Sequence, residues 1–123
     1  SIGTNDLTQY TLAMDRGHPK LASQVDGLHP AVLQLIALTV RAARDHQRPV
    51  SVCGGLAGDA RAVPILLGLG VDKLSVSVPA IPSIKALVRR LAMSDCRSLA
   101  EKALTLDSPA AVRELAASAV AGA

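Results

Sequence analysis

The sequence predicts an α/β fold in which short parallel strands alternate with helices. Residues 1–4, 49–53 and 74–78 are short, strand-like stretches, and each is followed by apolar residues at helical spacing. The chain contains no Trp, no Phe and one Tyr, so its core must come from Leu, Val, Ile and Ala, which suits helices packed on parallel strands. This order predicts three parallel strands joined by right-handed crossovers, followed by a C-terminal helical extension.

The first predicted strand runs into Asn5 and Asp6, where the chain must turn into a helix over residues 7–14. The segment Asp15-Arg16-Gly17-His18-Pro19 then breaks the helix. The period of two along a strand puts Asn5 on the face opposite the helices. In the alternative interpretation Asn5 and Asp6 only cap the helix, and Arg16 pairs with acidic neighbours at the surface.

The second predicted strand ends at Cys53. Val50 and Val52 alternate with a serine and this cysteine, so valines that face a helical layer put the thiol on the opposite face, at the C-terminal end of the strand. Two glycines then stop the strand and allow a tight backbone path. In the alternative interpretation Cys53 is an inert buried thiol, the usual state of a free cysteine.

The rest of the sequence predicts further helices. A long helix begins at Pro30 and ends near His46, with Val32, Ile36, Val40 and Ala43 along one apolar stripe. Another helix is capped by Asp59 and ends at glycines 68 and 70, and a third begins at Pro82. The apolar stripe expected in the last of these is Ile84, Leu87, Val88 and Leu91. The region from residue 94 onward carries two more helical patterns, and we expect it to cover apolar surface without contributing chemistry.

Composition excludes several classes of partner. The formal net charge of +3 is small and spread out, and aromatic side chains for base stacking are nearly absent, so we expect no nucleic acid partner. There is no apolar run long enough to cross a bilayer and no recognisable signal peptide, so we expect no membrane partner and a cytoplasmic location. Cys53 and Cys96 do not form a C-x-x-C motif and are expected to be free thiols.

Other kinds of site fit the sequence less well. Gly54-Gly55-x-x-Gly58 lacks both the dinucleotide fingerprint and the P-loop lysine, so a nucleotide cradle is not supported. A zinc site formed by His18, His29 and Cys53 matches no usual ligand spacing. The chain begins at Ser1, inside a predicted strand, and we expect it to be a piece of a larger protein.

The chain carries the motifs Ser1-Ile-Gly-Thr-Asn-Asp-Leu-Thr-Gln-Tyr10, Asp15-Arg-Gly17, His29-Pro30, Cys53-Gly54 with Leu56-Ala-Gly-Asp59, and Leu66-Leu-Gly-Leu-Gly70. Together they closely resemble Enzyme I of the bacterial phosphoenolpyruvate-dependent sugar phosphotransferase system. The resemblance implies that residues 1–92 are the last part of a (β/α)8 TIM barrel that binds phosphoenolpyruvate, and that residues 93–123 are its helical extension. One departure is plain: the family commonly has Cys-Gly-Glu, whereas this chain has Gly55 at the third position.

The resemblance also implies roles for four residues. Asn5 is similar to the side chain that contacts the substrate phosphate, Asp6 to a Mg²⁺ carboxylate, and Arg16 to an arginine that clamps the phosphoryl group. Cys53 is similar to the acid that protonates the enolate to give pyruvate. These residue types suit the chemistry. Arginine offers a planar fork to phosphoryl oxygens, Mg²⁺ takes oxygen ligands, and a correctly positioned thiol can deliver a proton.

Partners follow from the same resemblance. The parent enzyme is expected to be a homodimer that passes phosphoryl from phosphoenolpyruvate to a histidine on a separate domain, absent here, and from there to a phosphocarrier protein. Multiphosphoryl transfer proteins are equally compatible, and the resemblance extends to pyruvate phosphate dikinase and phosphoenolpyruvate synthase. The chain alone lacks the histidine domain and the other expected Mg²⁺ carboxylate, so a catalytically silent folding or assembly fragment is the second hypothesis.

Overall fold

Three short strands form one parallel sheet in the order β1-β2-β3. The computed structural model describes residues 1–121 and pairs Ile2 with Val52 and Val52 with Leu74. The α/β class and the parallel direction of the strands are therefore confirmed. The strands are β1 (Ile2–Gly3), β2 (Ser51–Cys53) and β3 (Lys73–Leu74), and the helices are α1 (Thr4–Leu12), α2 (Pro30–Asp45), α3 (Ala62–Leu69), α4 (Ile81–Arg90), α5 (Met93–Ala103) and α6 (Pro109–Ala121).

The apolar core lies between one face of the sheet and the helices. Val50 and Val52 are buried in it, which confirms the alternation predicted for β2. The predicted stripe of α2 is also confirmed, since Val32, Ile36 and Val40 are buried there. A smaller cluster of Val63, Ile84 and Leu87 joins α3 to α4.

The opposite face of the sheet carries polar and small side chains. Gly3 and Lys73 are exposed on it, and Ser51 and Cys53 are half-buried. Residues paired across neighbouring strands point to the same side, so the register that pairs Gly3 with Cys53 puts the thiol on this face. The thiol therefore lies away from the helical layer, as the strand period predicts.

Helix α1 begins at Thr4, three residues earlier than expected from the sequence. Gly3 precedes the helix, and beyond it side-chain hydrogen bonds replace the backbone pairing between β1 and β2. The Thr4 hydroxyl donates to the Cys53 carbonyl, and the Asn5 amide oxygen accepts from the Gly55 N–H. Because these bonds tie the chain to β2, it can turn into a helix after a strand of only two residues.

The third strand is also shorter than expected, since β3 ends at Leu74 and not at Val78. Its strand neighbour β2 turns away at Gly54, which has φ of 89°, so the backbone beyond Ser75 has no ladder to join. Val78 is 78% exposed. Of the apolar stripe expected in α4, Ile84 and Leu87 face α3, whereas Val88 is 37% exposed.

The C-terminal helices pack over α3. Gly68 allows α5 to come close, because a Cβ there would overlap the carbonyl oxygen of Cys96. Cys96 is buried in α5, and burial together with the nearby Asp95 carboxylate raises the pKa of its thiol. Both cysteines are free, as predicted. Gly122 and Ala123, the end of the expected extension 93–123, lie outside the described residues.

Within residues 1–121, every helix is too short or too polar to span a bilayer.

Candidate active site

Asn5 and Asp6 lie in the first turn of α1, directly after β1, and both are exposed. The residue at the helix cap is Gly3, and no side-chain capping bond is formed there. The alternative in which Asn5 and Asp6 only cap this helix is therefore wrong. Instead the Asn5 Oδ1 accepts a hydrogen bond of 3.0 Å from the Gly55 N–H, so its Nδ2 remains free to donate to an anion.

A buried hydrogen bond fixes the end of β2 to the start of α1. The Thr4 hydroxyl, 1% exposed, donates to the Cys53 carbonyl over 2.6 Å. Gly54 follows in a conformation open only to glycine, with φ of 89° and ψ of −173°. A Cβ on Gly54 would lie 2.7 Å from the Thr4 Oγ1 and 3.0 Å from the Asn5 Oδ1, so glycine also provides the space in which these side chains approach β2.

Cys53 shares the open face of the sheet with the Asp6 carboxylate. Its Sγ lies 3.5 Å from the Ile2 carbonyl oxygen, a weak hydrogen bond that directs the thiol toward β1. A Cβ built on Gly3, the partner of Cys53 in the ladder, would lie 3.7 Å from the Asp6 Oδ2. The thiol is half-buried and is not beneath the helices, so it differs from an inert core cysteine. Its role as a proton donor stays a prediction.

Arg16 reaches back to Asp6 from the loop that follows α1. Its Nη1 donates to the Asp6 Oδ1 over 2.8 Å, and the two side chains are 47% and 69% exposed. A pair this exposed adds little to stability, so neither group is committed to holding the fold. The structure thus brings a guanidinium, a carboxylate and the Asn5 amide to the C-terminal ends of β1 and β2.

Asp6 offers the kind of ligand that Mg²⁺ takes. Its carboxylate is exposed, and oxygen ligands with several retained waters are the usual coordination of this ion. No cluster of three or more His, Cys, Asp or Glu side chains that could hold a metal ion occurs within residues 1–121. Asp6 therefore fits as one ligand of a site whose remaining ligands would be water, substrate oxygens or residues outside this chain.

Two cavities adjoin Asn5. One, of about 400 Å³, lies on the α1 side, and Arg16 also lines it. The other, of about 490 Å³, lies in front of the ends of β2 and β3, where Ser75 and Ser77 line it. Cys53 lines neither cavity, and it joins the cluster through the bond of its carbonyl to Thr4 and through its place on the shared sheet face.

Arg113, on α6, also lines the first cavity, although we expected no chemistry from the C-terminal region. Its guanidinium binds Asp26 through two hydrogen bonds of 2.6 and 2.7 Å and Asp59 through one of 2.9 Å. Burial opposes ionisation of Asp26, but the bonds from Arg113 and the Leu28 N–H outweigh it and lower the pKa of that carboxyl. The Asp26 bonds likewise raise the pKa of Arg113, against the effect of burial. The sequence carried no signal for this role, because Arg113 lies in a helical pattern that was expected only to cover apolar surface.

Asp59 caps the turn that leads into α3, as the sequence predicts. The regular helix begins at Ala62, but the Val63 N–H already donates to the Asp59 carbonyl at 3.1 Å, and the Asp59 Oδ1 accepts from the Arg61 N–H at 2.9 Å. Its Oδ2 binds Arg113. The carboxylate is therefore shared between its own turn and α6.

Comparison with known proteins fits this geometry. The family model for the phosphoenolpyruvate-binding domain of phosphoenolpyruvate-utilising enzymes matches residues 1–93. The chain belongs to this family. Its phosphoenolpyruvate-binding domain thus covers the sheet, the helices α1 to α4 and all four predicted site residues, whereas Arg113 lies beyond the matched range.

Relatives of this phosphoenolpyruvate-binding domain are named multiphosphoryl transfer protein or phosphoenolpyruvate-protein phosphotransferase. A multiphosphoryl transfer protein of Rhodobacter capsulatus is 59% identical over 94% of the chain. Phosphoenolpyruvate-protein phosphotransferases of Buchnera aphidicola and Haemophilus influenzae are 47% and 44% identical over 86% and 94% of it. The chain spans only 14%, 19% and 20% of the length of these three relatives. The resemblance to Enzyme I noted in the sequence is confirmed.

Proposed function

We propose that this chain forms part of the phosphoenolpyruvate site of a phosphoenolpyruvate-protein phosphotransferase, which releases pyruvate and passes the phosphoryl group to a histidine. The main supporting observation is the group formed by Asn5, Asp6 and Arg16 at the C-terminal ends of parallel strands. In α/β proteins ligands bind at that end of the sheet. Family membership and the name phosphoenolpyruvate-protein phosphotransferase, which two of the relatives carry, point to the same substrate.

The strands are proposed to belong to a (β/α)8 barrel. Among the described residues, β1 and β3 each have one strand neighbour, so both edges of the sheet are open to further strands. The face that carries Ser51, Cys53 and Lys73 has no helical cover within residues 1–121, and closing the sheet would turn it into the barrel interior. The helices already cover the other face, as they do in such barrels.

In the proposed reaction Arg16 and Asn5 hold the phosphoryl group. Arg16 would leave Asp6 to place its fork against the phosphoryl oxygens, while the free Nδ2 of Asn5 donates to another oxygen. Mg²⁺ bound by Asp6 would supply charge neutralisation. Fixed donors of this kind matter because phosphoryl transfer spreads charge over three oxygens in a loose transition state.

Cys53 is proposed to complete the reaction. When the bond between phosphorus and the enol oxygen breaks, the phosphoryl group moves to the histidine nitrogen and the electron pair stays on the enolate. The Cys53 thiol then gives its proton to the methylene carbon, which yields pyruvate and a thiolate that regains a proton from water. A general acid in the right place contributes about 10²–10⁴ in rate. In this chain Gly55 brings no carboxylate to assist it, and the thiol is oriented by the Ile2 carbonyl instead.

The parent protein is proposed to be a cytoplasmic homodimer that delivers phosphoryl to a phosphocarrier protein. The isolated chain is expected to be silent, because its predicted site brings together one arginine and one carboxylate and the described residues hold no metal-binding cluster. Any conversion of phosphoenolpyruvate by these 123 residues alone would contradict this expectation.

The proposed function is tested with the full-length protein that contains this chain. It is incubated with phosphoenolpyruvate and Mg²⁺, and pyruvate and acid-labile phosphohistidine are measured together. We expect equal amounts of both, and Arg16→Ala should raise the KM for phosphoenolpyruvate about thirtyfold, because a hydrogen bond to a charged group is worth about 2 kcal/mol. Arg89→Ala, in the last turn of α4, is the control and should leave KM unchanged. Absence of pyruvate, or pyruvate without phosphoprotein, would refute the proposal.

A further inference from the structure

Arg113 connects α6 to two loops on the α1 side of the candidate site. One is the Asp26 loop, residues 25–28, and the other is the Gly55 turn, residues 55–58, which Asp59 closes. Arg113 binds Asp26 through Nε and Nη2 and binds Asp59 through Nη1, so three of its donors are used in a planar fork. The three side chains are only 20 to 33% exposed, so these bonds are partly shielded from water.

Each carboxylate also organises its own backbone. The Asp26 Oδ1 accepts from the Leu28 N–H at 2.9 Å, and the Asp59 Oδ1 accepts from the Arg61 N–H at 2.9 Å. Arg113 therefore holds the two loops through residues that define their local shape. Without its guanidinium, two half-buried carboxylates would face the cavity without their counter-ion, which is costly for both.

Both loops contact the start of α1. The Gly55 turn provides the N–H that holds the Asn5 amide oxygen. A Cβ on Gly27, in the Asp26 loop, would lie 3.1 Å from Leu56 and 3.4 Å from the Thr8 hydroxyl, so this loop packs on the Gly55 turn and on α1 together. A shift of either loop would thus be passed to the orientation of Asn5.

We propose that Arg113 is a positioning residue that fixes the Gly55 turn and, through it, the Asn5 amide that binds the substrate phosphate. This inference rests on the proposed function for the identity of the substrate. Three of the five N–H donors of Arg113 are engaged by Asp26 and Asp59, so we assign it the role of holding the two loops and not a contact with the substrate. Its effect is therefore on phosphate binding and not on proton transfer by Cys53.

The test compares Arg113→Met, Arg113→Lys and Asp59→Asn in the full-length protein, with KM and kcat for phosphoenolpyruvate and the melting temperature measured for each. Arg113→Met should raise KM about tenfold and leave kcat within about twofold, since lost ground-state binding acts on KM and small misplacements cost one to two orders of magnitude. Arg113→Lys should recover part of the loss, because a lysine can still pair with one carboxylate. Asp59→Asn keeps an acceptor for the Arg61 N–H and should raise KM about threefold, and it remains informative if Arg113→Met does not fold.

Arg97→Met is the control, because Arg97 is exposed on α5 and has no carboxylate partner among the described residues. Its KM should equal that of the wild type. A purely structural role for Arg113 would lower the melting temperature but leave KM unchanged below it, and that result would overturn the inference. A fall in kcat with constant KM would overturn it as well. Failure of the wild-type protein to use phosphoenolpyruvate would instead refute the proposed function.

Discussion

The hydroxyl of Thr4 donates a 2.6 Å hydrogen bond to the carbonyl of Cys53, and this contact joins the two strand ends that carry the candidate site. Thr4 begins α1 and is 1% exposed, while Cys53 ends β2. The bond takes the place of further strand pairing. It sets the distance between the Asn5 side of the cluster and the thiol side.

Replacing Thr4 by valine should destabilise the chain by about 1–3 kcal/mol. The variant keeps the shape of the side chain but leaves the Cys53 carbonyl without its donor in a buried setting. Urea unfolding of the two proteins measures the difference. Thr8→Val is the matched control, because the Thr8 hydroxyl bonds only the Thr4 carbonyl one turn earlier in the same helix, and its loss should be nearly neutral. An equal loss of stability in both variants would show that the bond to β2 contributes no more than the bond within the helix.

Alanine at Gly54 should cost about 3 kcal/mol or more. The backbone there has φ of 89° and ψ of −173°, a region that costs other residues about 1–3 kcal/mol, and the new Cβ would also press on the Thr4 Oγ1 at 2.7 Å. Gly55→Ala offers the comparison, since the nearest atom to its Cβ would be the Asn5 Oδ1 at 3.5 Å, an ordinary contact. If thermal unfolding showed the two variants to be alike, the strain assigned to Gly54 would be wrong.

Alanine at Gly68 should destabilise the packing of α5 on α3. In a free helix this change would gain about 1 kcal/mol, but the added Cβ would overlap the Cys96 carbonyl, and overpacking against backbone costs about 1–3 kcal/mol. The steric overlap therefore makes the net effect of Gly68→Ala on stability unfavourable. Gly58→Ala, where a Cβ meets no atom within 4 Å, should be neutral. A stabilised Gly68→Ala variant in chemical denaturation would contradict the close approach of the two helices.

The Asp26 carboxylate should make stability depend on pH in the acid range. The pKa of Asp26 is lowered in the folded chain. Its contribution to the free energy of unfolding is therefore complete above the pKa of the unfolded chain, about 3.9, and is lost as the pH falls through the pKa of the folded chain. Asp26→Asn keeps an acceptor for the Leu28 N–H but removes the charge that pairs with Arg113.

The free energy of unfolding of the wild type and of the Asp26→Asn variant should therefore be compared at about pH 6 and about pH 3. We expect the wild type to be more stable by about 1–2 kcal/mol at the higher pH, since the ion pair is partly exposed, and the difference to shrink toward zero at the lower pH. A difference that is the same at both pH values would mean that the charge of Asp26 contributes nothing.

The sequence predicted the structure best where apolar residues recurred with a clear strand or helix period. The alternation of Val50 and Val52 with Cys53 predicted the face of the thiol, and the stripe Val32, Ile36 and Val40 predicted α2. The ends of the strands were less predictable, because a strand continues only as far as the neighbouring strand pairs with it. Residues 76–78 have the pattern of a strand, yet β2 turns away at Gly54 and leaves them without a partner among the described strands.

The candidate site was predictable only in part. Polar residues that follow parallel strands meet at one edge, so a cluster of Asn5 and Asp6 near Cys53 could be expected. Only the resemblance placed Arg16 in the same site as Asp6, because a loop arginine has many possible partners, and the direct contact between the two side chains was not predicted. Arg113 was missed, since its pairing with Asp26 joins residues 87 positions apart and leaves no periodic signal.

Kinetics of the full-length Cys53→Ala variant, with phosphoenolpyruvate binding measured by calorimetry, test the central claim that these strand ends form one site. We predict that pyruvate release slows by about 10²–10⁴ while the Kd for phosphoenolpyruvate stays within about threefold, because the thiol acts after the phosphate is held by Asn5 and Arg16. Equal loss of binding and pyruvate release, or an unchanged rate, would contradict that claim.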